Sequence, residues 1–409
     1  TPAVPFDDYT DLVENRDDDE RRSDALLWFE NTGVERDESA VLDDSDAHAD
    51  AALAVFAILA GDDLGNGWEH AALPDGDTRV ARNRRTGQVS AVKPPDLTYA
   101  SGVVALDGTP TQRLWELSLG KRLNHRQVLS DAERREYIRD GLNLNLVRTS
   151  EYVKPYNSAD HVSVEHDAAL LEAIHEQHDE KPSVITTATA EAEYEDSDAA
   201  DYVADTRHYG NVLGSNELRQ KRVGAVIGSN HYGDDYLKRW GAFAGETVDR
   251  NDAKGADLSY GAFGNDVLRH MREHETLQAA MRFGRDGNGA VVYVHTDTLP
   301  EWVPVAAEGR VRRTWSDGMR EVLTEAQHRE EWTTAEIAEC VSLSTRQVRE
   351  HLHRLVDDGV VSTEYDGSGY VWRDDGLHRV NDNGAVELEP VADDELGGDE
   401  SAEVARSSV

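Results

Sequence analysis

Gln278, Arg282 and Arg285 stand in the order Q-x-x-x-R-x-G-R, and the apolar run Ala290-Val291-Val292-Tyr293-Val294 follows them. A planar guanidinium grips a phosphate through two parallel hydrogen bonds. Phosphoryl transfer needs such positive charge aimed at oxygens that gain charge in the transition state. Arginines three apart share one side of a helical turn, so Arg282 and Arg285 can face one ligand, with one of them as a catalytic finger. A plainer reading stands beside this one: an exposed helix end whose arginines pair with nearby acids.

The elements that must hold these residues are written in the hydrophobic pattern. Short, wholly apolar strands are expected at Ser183–Thr187, Val223–Gly228 and Ala290–His295, and helices near 188–195, 232–245 and 265–282. Strands this apolar are covered on both faces, which predicts a parallel sheet in an α/β domain. Upstream, a helix with an apolar face is expected over 47–60 and short strands between 65 and 96. A buried strand at Gly102–Leu106 should run into the polar turn Asp107-Gly108-Thr109-Pro110-Thr111, and a helix should follow over 112–119.

The chain has 409 residues, room for two or three domains. Its 81 acidic residues against 42 basic ones give a net charge of −39. The acids are spread between apolar positions, as on a surface adapted to concentrated salt, where charges are screened over about 3 Å at 1 M. Disorder is the competing account of some acidic stretches. Residues 201 to 350 come much closer to charge balance, so basic residues concentrate where the motifs lie. A single cysteine, Cys340, excludes an intramolecular disulfide and a multi-cysteine zinc site. No apolar run approaches about 18 residues and no signal peptide opens the chain, so a cytoplasmic protein without a membrane partner is expected. The first residue is Thr1, which reads as a fragment or a lost beginning.

Near the end, Thr333 and Ser344 each precede a helix as N-caps, with Gln347 at the capping-box position after Ser344. Val348, Leu352 and Leu355 make an apolar stripe, Gly359 ends the helix, and 360–372 reads as a hairpin. Helix, turn, helix and β-ribbon predict a winged helix. Its second helix would present Thr345, Arg346, Gln347, Arg349 and His353 to a DNA major groove, with Arg373 after the wing. Acids at Glu336, Glu339, Glu350, Asp357 and Asp358 repel phosphate and favour the alternative of protein contact.

Taken with Leu106–Thr111, Tyr209–Asn216, Gly228–Tyr236 and Met281–Pro300, the Q-x-x-x-R-x-G-R run resembles superfamily 2 helicases, in particular helicase-like replication proteins of haloarchaeal plasmids and proviruses. The resemblance covers roughly residues 100 to 375. It departs from the family pattern at Asp107 and Gly108, where Ser and Ala are usual. It implies an ATP-dependent DNA helicase or translocase that uses ATP and Mg2+ and meets DNA and other replication proteins. Arg282 and Arg285 would be catalytic, Gln278, Gly228 and Asp234 would bind nucleotide, and Thr109 and Thr111 would couple two domains. The domains would be the C-terminal part of a RecA-like domain 1 with an acidic insertion (1–125), a connecting segment (126–182), RecA-like domain 2 (183–300), a linker helix (301–325), the winged helix (326–375) and a disordered acidic tail (376–409).

No G-x-x-x-x-G-K-[ST] loop occurs in the chain, and no Asp-Glu pair follows an apolar strand as a magnesium motif would. The expectation is therefore an arginine side of an ATP site without its phosphate-binding side, inactive alone. His161, His166, His175 and His178 read as surface residues and no metal site is expected. The rival class is a winged-helix DNA-binding transcriptional regulator with an α/β partner domain.

Overall fold

A computed structural model describes residues 18, 20–24, 60–72, 77–212, 216–253, 257–365, 367 and 369–391. All but the last residue of the helix expected over 47–60 lies outside these. The chain divides into two compact units, one from 1–128 with 231–274 and the other from 129–230 with 275–409. The expected 183–300 domain is thus interrupted: its chain leaves after Asn230 and returns at Glu275.

In the first unit, β1 (Asp62–Asp63), β2 (Trp68–Ala72), β3 (Arg79–Asn83) and β4 (Val89–Val92) form an antiparallel sheet in that order. Trp68 and Ala81 pack on Ala242 and Phe243 of the Asp234–Ala244 helix. Leu114 of the Gln112–Leu119 helix joins Leu237, Phe263, Val267 and Met271 in a second cluster. The strand expected at Gly102–Leu106 does not form. Val104 is 84% and Leu106 87% exposed, and an apolar run without a neighbouring strand to bond has no ladder to join.

The second unit is built on β5 (Leu144–Arg148), β6 (Ser183–Thr186), β7 (Asp205–His208), β8 (Val223–Ile227), β9 (Ala290–His295) and β10 (Ala307–Thr314). Pairing is parallel along β10-β5-β9-β8-β6-β7. Side chains alternate between two cores: Leu144, Leu146, Val226, Val292 and Val294 face one, and Val147, Ala225, Ile227, Val291 and Tyr293 the other. Both faces are covered, as the apolar pattern predicts. The sheet does not begin at Ser183, however. Residues expected to connect domains supply β5, which lies between β9 and β10, and the Val164–His178 helix, whose Leu170, Leu171 and Ile174 fill the second core.

The C-terminal part of this unit runs through the Asp317–Ala326 helix, β11 (Glu331–Thr333), the Thr334–Cys340 and Thr345–Asp357 helices, and a hairpin of β12 (Val361–Tyr365) and β13 (Tyr370–Asp374). Capping boxes at Thr333 and Ser344 start the last two helices. Val348, Leu352 and Leu355 join Trp332 and Trp372 in one core. The tail expected to be disordered from 376 contributes β14 (Gly384–Leu388), antiparallel to β10. The Glu172 carboxylate fixes it by accepting the N–H groups of Asp382 (2.5 Å) and Asn383 (2.8 Å).

Phe283, next to the arginines, lies against the backbone of β8. A Cβ on Gly224 would come within 2.5 Å of the Phe283 ring. Gly224→Ala should therefore destabilise the protein by ~1–3 kcal/mol through overpacking, and Phe283→Leu in the same chain should recover part of the loss. Equal chemical melting of wild type and Gly224→Ala would contradict this packing.

Candidate functional site

The Glu275–Ala280 helix ends before the arginines, and Met281 to Gly289 make the turn that enters β9. Gly284 gives that turn its tightness. Its φ is +62°, and a Cβ there would lie 2.4 Å from the Gly289 carbonyl carbon, so the glycine of the R-x-G-R pattern is required by backbone approach. Arg285 Nε donates to the Met281 carbonyl at 2.5 Å. Burial, and then the positive charge of Arg282, lower the Arg285 pKa, with the Tyr137 phenol opposing. Arg282 Nε is buried without a hydrogen-bond partner.

Neither arginine forms an ion pair among the described residues. The turn's own acid, Asp286, is taken by Arg222, which holds its carboxyl down at about 2. The arrangement is a pair of mutually repelling guanidinium groups with no carboxylate between them. Desolvated like charges are unfavourable in isolation, and an anion placed between them relieves both.

The remaining residues expected at a nucleotide site are distributed otherwise. Gln278 lies on the Glu275–Ala280 helix, just ahead of the turn. Gly228 follows β8 at its carboxyl end, whereas the arginine turn precedes β9, a parallel neighbour, at its amino end. Gly228 and the arginines therefore sit at opposite edges of the sheet. Asp234 belongs to the first unit, where it accepts a 2.5 Å hydrogen bond from the Tyr260 hydroxyl and lies 3.9 Å from Arg250. Thr109 and Thr111 are buried in that unit. The Thr111 hydroxyl meets Nδ1 of His270 (3.2 Å) and of His274 (3.3 Å), and burial lowers the His270 pKa against the pull of Asp107.

At the carboxyl edge lies a buried network that the sequence motifs do not announce. The residues after β5 form a strap across the strand ends: the Val153 carbonyl accepts from the hydroxyls of Ser229 (2.8 Å) and Thr296 (2.6 Å), and the Tyr156 carbonyl from Thr187 (2.7 Å). Beneath it, fully buried Asp167 accepts from Tyr194 (2.8 Å), Tyr156 (3.0 Å) and Lys154 (3.3 Å). Burial raises the Asp167 pKa, opposed by Lys154 and the two phenols. His295 Nδ1 lies 3.1 Å from the Thr149 carbonyl and 2.9 Å from the Thr149 hydroxyl, and its Nε2 lies 3.6 Å from Asp167. A signal for Asp167 was present: it stands four and seven residues before Leu171 and Ile174, on an apolar helical stripe.

In the C-terminal part, three of the expected DNA contacts are held by their own surroundings. Gln347 closes the Ser344 capping box. The His353 ring packs edge-on to Trp372 at 4.9 Å. Arg373 is shared by Glu331 (2.8 Å) and Glu364 (3.3 Å). Thr345, Arg346 and Arg349 are exposed on the Thr345–Asp357 helix, with Arg346 paired to Glu350 at 2.8 Å. Of the expected surface histidines, His178 bonds the Tyr293 hydroxyl at 2.8 Å. Among the described residues no helix is long and apolar enough to cross a membrane.

Burial holds the His295 pKa well below its usual 6.5, with the Lys154 charge acting in the same direction. A depressed pKa contributes stability that is full above 6.5 and is lost as pH falls through that value. The stability difference between wild type and His295→Gln should therefore shrink below pH 6.5, by up to ~1.4 kcal/mol per pH unit. Denaturant melts of both proteins between pH 5 and 8 test this, and parallel curves would remove His295 as the cause. Compared with family models, curated proteins and solved structures, the chain matches none of them.

Proposed function

We propose that this chain is the C-terminal portion of an ATP-dependent DNA helicase or translocase acting in replication, with a RecA-like sheet and a winged helix. The observation that carries the reading is the pair Arg282 and Arg285, held at the entry to β9 without a carboxylate partner in a chain of 81 acids. The plain alternative, an exposed helix end neutralised by neighbouring acids, predicts ion pairs that these two arginines do not make among the described residues. Two uncompensated guanidinium groups fit the terminal phosphates of ATP and would stabilise charge developing there during phosphoryl transfer.

Mg2+ is a different matter. Among the described residues no group of three or more His, Cys, Asp or Glu fits a metal ion, and the chain has no phosphate loop. In this proposal neither part is assigned to residues of this chain. The Thr345–Asp357 helix, with Thr345, Arg346 and Arg349 outward and the β12–β13 hairpin behind it, is the proposed duplex contact. A regulator built on this helix and hairpin alone would leave the arginine pair without a role.

In the product of the entire reading frame, Arg285→Ala should lower DNA-stimulated ATP hydrolysis by ~10³-fold. Turnover within a few-fold of wild type would remove Arg285 as the finger. For the DNA surface, Arg346→Ala with Arg349→Ala should weaken duplex binding and flatten the slope of log K against log salt by ~0.9 for each phosphate no longer neutralised. An unchanged slope would turn this helix toward a protein partner.

A further inference from the structure

We infer that the first unit carries a second anion site, a cleft that takes a phosphate group between β3 and the end of the Gln112–Leu119 helix. The cleft has a volume of about 240 Å³ and is lined by Arg79, Arg113, Lys121 and Arg122. The two carboxylates that share its wall are Asp77 and Glu116. Four cations line the wall against two acids in a chain with 81 acids and 42 bases, although just outside the lining Glu246 pairs with Arg113 and Asp96 feels the charge of Lys121.

The four cations come from three places: a strand, the body of a helix and the turn after that helix. Arg113 is braced, with its guanidinium over the Phe263 ring at 4.4 Å and an ion pair to Glu246. Arg79, Lys121 and Arg122 have no ion pair or hydrogen bond from their side chains among the described residues. Glu116 is already engaged: it accepts from Gln112 Nε2 (2.8 Å) and the Leu123 N–H (3.1 Å), which lower its pKa. Lys121 and Arg122 alone would be explained by the negative end of the preceding helix. That account does not reach Arg79, which rises from β3.

Size restricts the ligand. A cleft below the ~300–1,000 Å³ usual for whole organic ligands admits a phosphate group and its immediate substituent. The recognising chemistry is therefore the phosphate itself, supplied by the backbone of a nucleic-acid strand or by a free polyphosphate. This site is independent of the helicase reading, because none of its residues belongs to the arginine turn or the C-terminal helices.

The test uses the full chain in KCl, with two probes: pyrophosphate by calorimetry and a labelled 20-mer of deoxythymidine by fluorescence anisotropy. Arg79→Gln, Lys121→Gln, Arg122→Gln together should weaken one probe or both at least tenfold. For the oligonucleotide the log–log salt slope should flatten by ~0.7 for each phosphate no longer neutralised. Loss confined to pyrophosphate identifies a free anion, and loss confined to the oligonucleotide a strand backbone. Should the triple change unfold the protein, as judged by circular dichroism, the pair Lys121→Gln, Arg122→Gln replaces it, with at least a threefold loss expected. Both titrations are repeated in an Arg282→Ala, Arg285→Ala background, which removes the phosphate contacts proposed for the arginine turn, so failure of the motor reading and failure of this site are read separately. No binding of either probe by wild type, or equal binding by wild type and the neutralised variant, overturns the inference.

Discussion

A carboxyl group buried under its own loop governs the carboxyl edge of the large sheet. Removing an ionised carboxylate from water costs several kcal/mol unless donors replace the lost hydration. Asp167 finds its donors in Tyr156 and Lys154 of the strap and in Tyr194 of the following helix. Those bonds fix the strap, and the strap in turn ties down the ends of β6, β8 and β9 through Thr187, Ser229 and Thr296. Open α/β sheets bind ligands outside the carboxyl ends of their strands. Here that position is filled by backbone and tyrosine, and the arginine turn lies at the opposite edge.

What the sequence revealed follows from how many residues argue for one element. Val223–Ile227 and Ala290–His295 are apolar at nearly every position, and both are buried strands. The Gln112–Leu119 helix has the expected bounds. β5 escaped notice because Asn145 interrupts its apolar run, although that side chain is itself buried. β14 is five residues in an acidic stretch, and its place depends on Glu172, more than two hundred positions away. Gly102–Leu106 erred the other way: its composition suits a strand, but a strand exists through its neighbours.

The candidate site was legible in part for the same reason. Local spacing revealed the Ser344 cap and the glycine turn before β9, but it carried the helix to Arg282, two residues past its end at Ala280. It could not tell that Asp286 is claimed by Arg222, that His353 packs on Trp372, or that Arg373 lies between Glu331 and Glu364. Each of these depends on a cross-strand or tertiary partner. Nor could it separate Gly228 from the arginines, since sequence order places both near the same two strands and strand direction alone sends them to opposite ends.

Charge statistics give the unpaired cations their meaning. With nearly two acids for every base, a surface arginine finds a carboxylate within reach almost by default, and each such pair contributes little, about 0–1 kcal/mol. Arg222, Arg310, Arg320 and Arg346 follow that rule. A cation kept without a partner in these surroundings has its acids displaced or engaged elsewhere, as Asp286 is beside the turn and Glu116 is in the cleft. Concentrated salt screens the long-range repulsion of the whole chain but not a partly desolvated contact. A cation left without an ion pair therefore carries more information in this chain than it would in one of balanced composition, and among the described residues such cations occur on both the arginine turn and the cleft beside β3.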